Sequence, residues 1–411
     1  MEKITTIRII SVFTVLNLAS YVCGQTVNTG ELVIAPDTQV STLGDFENTE
    51  TGDVINDGEL FVYNNFHNDG MVSFSPGQAT GLTLFEGIHG QQAISGDMPS
   101  GLFHVLFNNP ASQPAFALSG DISISGKAEF QDGIVDGDQH GGLVTFEQGA
   151  FHALVSDHSF VDGQVRKTGN EAFDHPIGDE GYYRPVLMSA PSGNADHFTS
   201  QYLLENSNSL HPHADRAKSV ELIDNAEYWE INRTNGASNI VLTLTWNEET
   251  TPLDILSEEE GKEIHIVRWD DINETWKDEG GVENRDEKTV TTAVSGYGIF
   301  TLAKVMAEEE PDGSLEVYNG VSPDGDGRND FFYLKGIEHY PDNTVTIYNR
   351  WGVKVYEAKG YNNTDVRFEG YSDGRATINT GKLLPAGTYF YILEYTSDNR
   401  VKDRSGYLYI N

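Results

Sequence analysis

The chain has 411 residues, with 26 Lys and Arg against 63 Asp and Glu, a formal net charge of −37, and a single cysteine. A surface of that sign repels nucleic-acid phosphates and anionic lipid headgroups, so neither is expected as a partner. One thiol excludes an intrachain disulfide, and 42 Gly beside abundant Thr, Val, Tyr and Phe points to short strands joined by turns, an all-β chain long enough for two or three cored domains.

The first 24 residues read as a signal peptide. Lys3 and Arg8 precede a largely apolar stretch from Ile9 to Tyr21, which is too short to span a bilayer and suits the apolar core of an export signal. Cleavage is expected after Gly24, with Val22 and Gly24 at −3 and −1, which removes Cys23 and leaves no thiolate for a metal site. A lipid anchor on Cys23 would want a small residue before it and an aliphatic one three before, where the chain has Val22 and Ser20. No other apolar run approaches the length of a transmembrane helix, so no transmembrane anchor is expected.

Residues 25–165 form an acidic cargo region in which Lys127 is the only Lys or Arg, against 19 carboxylates. Asn-Asp-Gly at 56–58 and 68–70, and Asp-Gly at 132–133, 136–137 and 162–163, punctuate short alternating segments such as GluLeuPheValTyr at 59–63 and AspIleSerIleSer at 121–125. One short strand per turn without a strict period predicts a solenoid or parallel β-helix; hairpins in a sandwich are the competing arrangement. The acidity suits solubility in a salty medium, and divalent cation binding is the alternative.

Residues 166–219 form a junction in which charges of both signs return with Pro176, Pro185, Gly178 and Gly181. Residues 220–305 predict an Ig-like β-sandwich: Ile240, Leu242, Leu244 and Trp246 alternate with Val241, Thr243 and Thr245, Ile264 and Ile266 start another strand, and Trp229, Trp269 and Trp276 supply core volume. Residues 306–315, rich in Glu with Pro311 and Gly313, read as an exposed linker.

Residues 316–411 predict a small antiparallel sandwich of roughly seven strands. Val345 and Ile347 pair with Val353 and Val355 across AsnArgTrpGly at 349–352, where Gly352 can adopt a positive φ; ProAlaGly at 385–387 turns into the strand at 388–395, and GlyTyrLeuTyrIle at 406–410 is the last strand. This region holds 11 Lys and Arg against 13 Asp and Glu, a net of −2, so the remaining residues carry −35. The order SerProAspGlyAspGlyArgAsnAsp (322–330), TyrAsnArgTrpGly (348–352), LeuProAlaGlyThrTyrPheTyr (384–391) and GlyTyrLeuTyrIle (406–410) resembles the gliding-motility-associated C-terminal domain of Bacteroidetes, the type B sorting domain of the type IX secretion system. Asp324 stands where that family usually has Asn, and PheGluGly at 368–370 where it often has Trp-Asp-Gly. The resemblance implies export to the periplasm, recognition by outer-membrane type IX machinery, and a secreted or cell-surface product. The residues it marks for recognition are Ser322, Pro323, Gly325, Asp326, Gly327, Asn329, Asp330, Arg350, Trp351, Gly352, Gly387, Tyr389, Tyr391 and Gly406.

Asp324, Asp326 and Asp330 are a candidate calcium set, although Arg328 and Lys335 fall where an EF-hand places oxygens, and a turn capped by its own carboxylates explains the same residues. HisProHisAlaAsp at 211–215 is the one dense cluster of metal-binding residue types, set in a loop-like context. No nucleophile elbow, zinc-protease helix motif, P-loop or dinucleotide fingerprint occurs, so no catalytic residue is assigned. A uronate lyase needs cations to hold its polyanion, and the cargo region has only Lys127. Two readings stand: a non-catalytic adhesin-like or structural cargo facing surface glycans, divalent cations or other cells, or a secreted carboxylate-based glycosidase or glycan-binding protein on a β-helix.

Overall fold

The structure is a computed structural model that describes residues 24–307, 315–325, 327–349, 352–372, 383–397 and 400–411, apart from residue 89. The expected signal segment before Gly24 therefore lies outside the described residues, as does most of the expected linker. The fold is all-β, and its N-terminal part is the solenoid that the turn pattern favours over a hairpin sandwich.

Each solenoid rung contributes one strand to each of three parallel sheets. The first rung supplies Thr26–Asn28, Glu31–Ile34 and Gln39–Thr42, and the second Phe46–Asn48, Asp53–Asn56 and Glu59–Val62, in parallel register below it. The repeat is uneven because the corners differ in length. Phe46 sits over Phe66, a spacing of 20 residues, whereas Phe66 sits under Ile94, a spacing of 28.

Alternation sends every second residue inward, where Phe46 and Phe66 stack at 5.5 Å and Phe85, Phe107 and Phe130 continue a column at 5.8 and 5.2 Å. At one corner a buried amide ladder replaces this apolar column. Asn28 Nδ2 donates to Asn48 Oδ1, Asn48 Nδ2 donates to Asn68 Oδ1, both at 2.8 Å, and Asn68 Nδ2 donates to Ser100 Oγ at 3.0 Å. The amides at this corner also donate to backbone carbonyls beside them, such as Met71 O at 3.0 Å from Asn48 Nδ2.

The glycines of the Asn-Asp-Gly turns are needed for a reason the sequence reading did not contain. At Gly58 a Cβ would lie 2.5 Å from the carbonyl oxygens of Ala35 and Thr38 in the rung before, and at Gly70 it would collide with those of Gly52 and Thr49. Close stacking of backbone on backbone, more than turn conformation, selects glycine there.

The segment read as a junction is ordered structure. Val161–Asp162, Val165–Thr168 and Ile177–Asp179 complete the last solenoid rungs. The antiparallel strand His197–Leu203 then covers the open edge of Val165–Thr168 and pairs onward with Tyr228–Asn235, so one sheet runs from the solenoid into the sandwich. This removes a bare parallel edge. The opposing sandwich sheet is ordered Phe173–His175, Val186–Met188, Val241–Thr245, Thr289–Ala293 and Val282–Asn284. Ile240, Leu242, Leu244, Trp229 and Ile264 are buried between the layers, as the alternation predicts.

A buried ion pair lies where solenoid and sandwich meet. Arg184 Nη2 donates to Glu227 Oε1 at 3.1 Å and Nη1 to Oε2 at 2.5 Å, with Tyr202 Oη and Thr251 Oγ1 donating to the same carboxylate at 2.5 Å. The Arg184 guanidinium also lies 5.1 Å from the Trp229 ring centroid, so both charges are enclosed and satisfied.

Candidate functional site

The C-terminal domain has seven strands among the described residues. Five form one sheet in the order Gly320–Val321, Arg400–Ile410, Gly387–Ser397, Asn343–Asn349 and Lys354–Lys359, and Glu316–Tyr318 pairs with Tyr333–Lys335 beside it. Its core is built on Phe332, Tyr361, Tyr391 and Leu393. Tyr361 Oη donates to Phe332 O at 2.5 Å and accepts from Phe368 N at 2.9 Å, which ties the segment after the charged loop to the far side of the core.

The loop that opens the domain is shaped by alternate left-handed residues. Gly325, Gly327 and Asn329 have φ of 80°, 84° and 54°, conformations that glycine adopts freely and Asn tolerates best among the rest. Such a winding turns successive N–H groups toward one centre, an arrangement that favours an anion. The anion is internal: Gly325 N donates to Asp330 Oδ1 and Gly327 N to Asp330 Oδ2, both at 2.8 Å. Ser322 N donates to Asn329 O at 2.6 Å and closes the loop at its base.

Asp330 thus caps the turn with both oxygens, the arrangement weighed against calcium. Asp326, a member of the candidate calcium set with Asp324 and Asp330, lies outside the described residues. Among the described residues no cluster of three or more His, Cys, Asp or Glu side chains is arranged to hold a metal. In the 211–215 loop, His211 packs 5.1 Å from Trp269 and His213 5.7 Å from Trp276, with His213 Nε2 at 2.9 Å from Ser207 Oγ. Burial pushes both imidazoles below the usual histidine range.

The remaining motif residues divide between a hairpin tip and the core. Gly352, with φ of 69°, donates from its N–H to Asn349 O at 2.9 Å, and Asn349 Oδ1 accepts from Val353 N at 2.9 Å, so Asn349 and Gly352 build the turn whose Arg350 and Trp351 lie outside the described residues. Tyr389 and Tyr391 are buried in the domain core, and Tyr389 Oη donates to Pro385 O at 2.9 Å. Gly406 faces Tyr391 across the strand pair, where a Cβ would come within 2.5 Å of the Tyr391 hydroxyl oxygen. Gly387 opens that strand with φ of 154°. Exposed loop, hairpin tip and aromatic core are thus joined in one compact domain. Residues 315–410 match the family model described as the CHU_C type IX secretion signal domain.

This domain is a type IX sorting domain. Its presence marks the chain for type IX secretion, and for a place outside the cell or on its surface. The match covers the C-terminal quarter and does not extend to the cargo. No curated protein matches the chain. No solved structure matches it. Among the described residues no helix is long and apolar enough to cross a membrane.

Four residues of the sorting domain escaped the sequence reading. Tyr348, Phe390, Ile392 and Tyr407 lie on the sheet face opposite the core, and Phe390 and Ile392 are buried there with Val241 of the sandwich. The signal was present in the unbroken run TyrPheTyrIleLeu at 389–393, since a strand with one wet face would alternate.

Proposed function

We propose that the chain is a non-catalytic, adhesin-like or structural protein, carried to the periplasm by its N-terminal signal and placed outside the cell through the sorting domain. The observation that carries this reading is the union of an export signal with a long solenoid whose outward positions present acids and partly exposed rings. Glu31 and Asp53 lie in register on one outer face, and Glu59 and Phe61 share the outer side of the third sheet. Phe61 stacks with Tyr63 at 6.2 Å and 22° between ring planes. Both rings are partly exposed, which suits contact with a sugar face, while the surrounding carboxylates favour neutral or cationic glycans and bound cations.

Two measurements test this. A chain lacking 315–411 is expected to be retained in the cell, and those residues fused behind a signal-bearing fluorescent protein are expected to carry it out; export of the truncated chain overturns the delivery reading. Immobilised glycans probed with the mature protein, with turnover followed on the same sugars, test the cargo. Binding lost in Phe61→Ala and Tyr63→Ala without hydrolysis supports the adhesin-like role, and hydrolysis of any glycan replaces it with the glycosidase.

A further inference from the structure

The strand Gly387–Ser397 is buried on both sides from Tyr389 to Leu393. Tyr389, Tyr391 and Leu393 point into the domain's own core, whereas Phe390 and Ile392 join Val241, with Val282, Tyr348 and Tyr407 packed around them. Val241 is outward-facing on its strand, yet only 4% exposed, because the sorting domain covers it. The two sheets therefore meet face to face through surfaces that each would otherwise present to water.

The hairpin tip takes part in this seam. A Cβ at Gly352 would lie 2.8 Å from Ser189 Cα, so the turn rests against the sandwich backbone, and Tyr407 Oη donates to Val282 O at 3.3 Å. A small seam cavity of about 60 Å³ is bordered by Ser189, Thr243 and Thr291 on one wall and Tyr348, Phe390 and Tyr407 on the other. Burial and the nearby Glu357 and Glu394 push the Tyr348 phenol up to about 12. The walls are unlike in chemistry. The sandwich side mixes Ser189, Thr243, Thr289 and Thr291 with Leu187, Met188 and Val241, while the sorting side is largely aromatic and calls for a partner.

We propose that the face formed by Tyr348, Phe390, Ile392 and Tyr407 is a cargo-docking surface, by which the sorting domain is latched to the sandwich in the folded chain with Gly352 set against Ser189. None of the described residues of the Ser322–Asp330 loop lines the seam, so the loop stays open to the secretion machinery while the latch is closed. The sorting domain is then presented in one orientation on its cargo instead of swinging on the linker.

The test uses the full mature chain with a specific protease site introduced between residues 308 and 313. After cleavage, the C-terminal fragment of the wild-type protein is expected to co-elute with the cargo in gel filtration at micromolar concentration. Val241→Asp and Thr243→Arg, both on the sandwich side, are expected to weaken that association at least about tenfold, so that the fragment elutes alone. Tryptophan fluorescence from Trp229 and Trp276 confirms that the sandwich remains folded in each variant, and Thr243→Arg serves if Val241→Asp does not fold. A wild-type fragment that separates on cleavage, or a folded Thr243→Arg chain whose fragment stays bound, overturns the latch.

Discussion

Arg184 and Glu227 show how much depends on completing a buried charge set. Removing one partner leaves the other enclosed without compensation, so Arg184→Met is expected to lower unfolding stability by about 3–5 kcal/mol, whereas Arg184→Met with Glu227→Met recovers most of the loss; denaturant titration of both variants checks this. Asp162 is a second charge with an uneasy position. It lies in register with Asp136, and burial, then the charges of Asp179, Asp136, Asp138 and Glu180, raise its carboxyl from 3.8 to about 8. Between those values the folded chain holds a proton that the unfolded chain has released, so this contribution is fully present below about pH 4 and is lost as pH rises through about 8. Asp162→Asn is expected to flatten the fall in melting temperature between pH 5 and pH 9 and to exceed the wild type at pH 9; an unchanged slope on thermal melts would count against it.

At the level of elements, the solenoid depends on corners as much as on strands. Asn48→Leu removes an amide that serves four neighbours, two of them ladder residues, and is expected to cost roughly 2–4 kcal/mol by denaturant unfolding. Gly70→Ala, which sets a methyl against two backbone carbonyls, is expected to be worse and to appear as loss of soluble folded protein. The solenoid was legible because alternation and Asn-Asp-Gly spacing are local: AspIleSerIleSer at 121–125 alternates in sequence and in burial alike. The amide ladder was not, since Asn28, Asn48 and Asn68 become neighbours only once the 20-residue stacking is known. Likewise the loop glycines and Asp330 were readable as a turn, but the second buried face of the sorting sheet depends on where the sandwich lies. The junction at 166–219 was legible from Pro and mixed charge, but the strands inside it were not, because they pair with the solenoid and sandwich strands on either side.

For the molecule as a whole, nearly all the charge lies on the solenoid and sandwich, and in-register pairs such as Glu31 with Asp53 set like charges side by side. Added salt should screen them, so the melting temperature is expected to rise between about 10 mM and 500 mM sodium chloride, where the Debye length falls from roughly 30 Å to under 5 Å. A fall would mean that specific ion pairs outweigh the general repulsion. The uneven rung spacing carries a consequence of another kind. A stack that accepts 28 residues where its neighbour uses 20 keeps its Phe column while two corners grow, most of all the one at 74–81, so that corner is a natural port for grafting: a peptide epitope or reporter tag spliced there would ride on the outside of an exported protein without disturbing the column within.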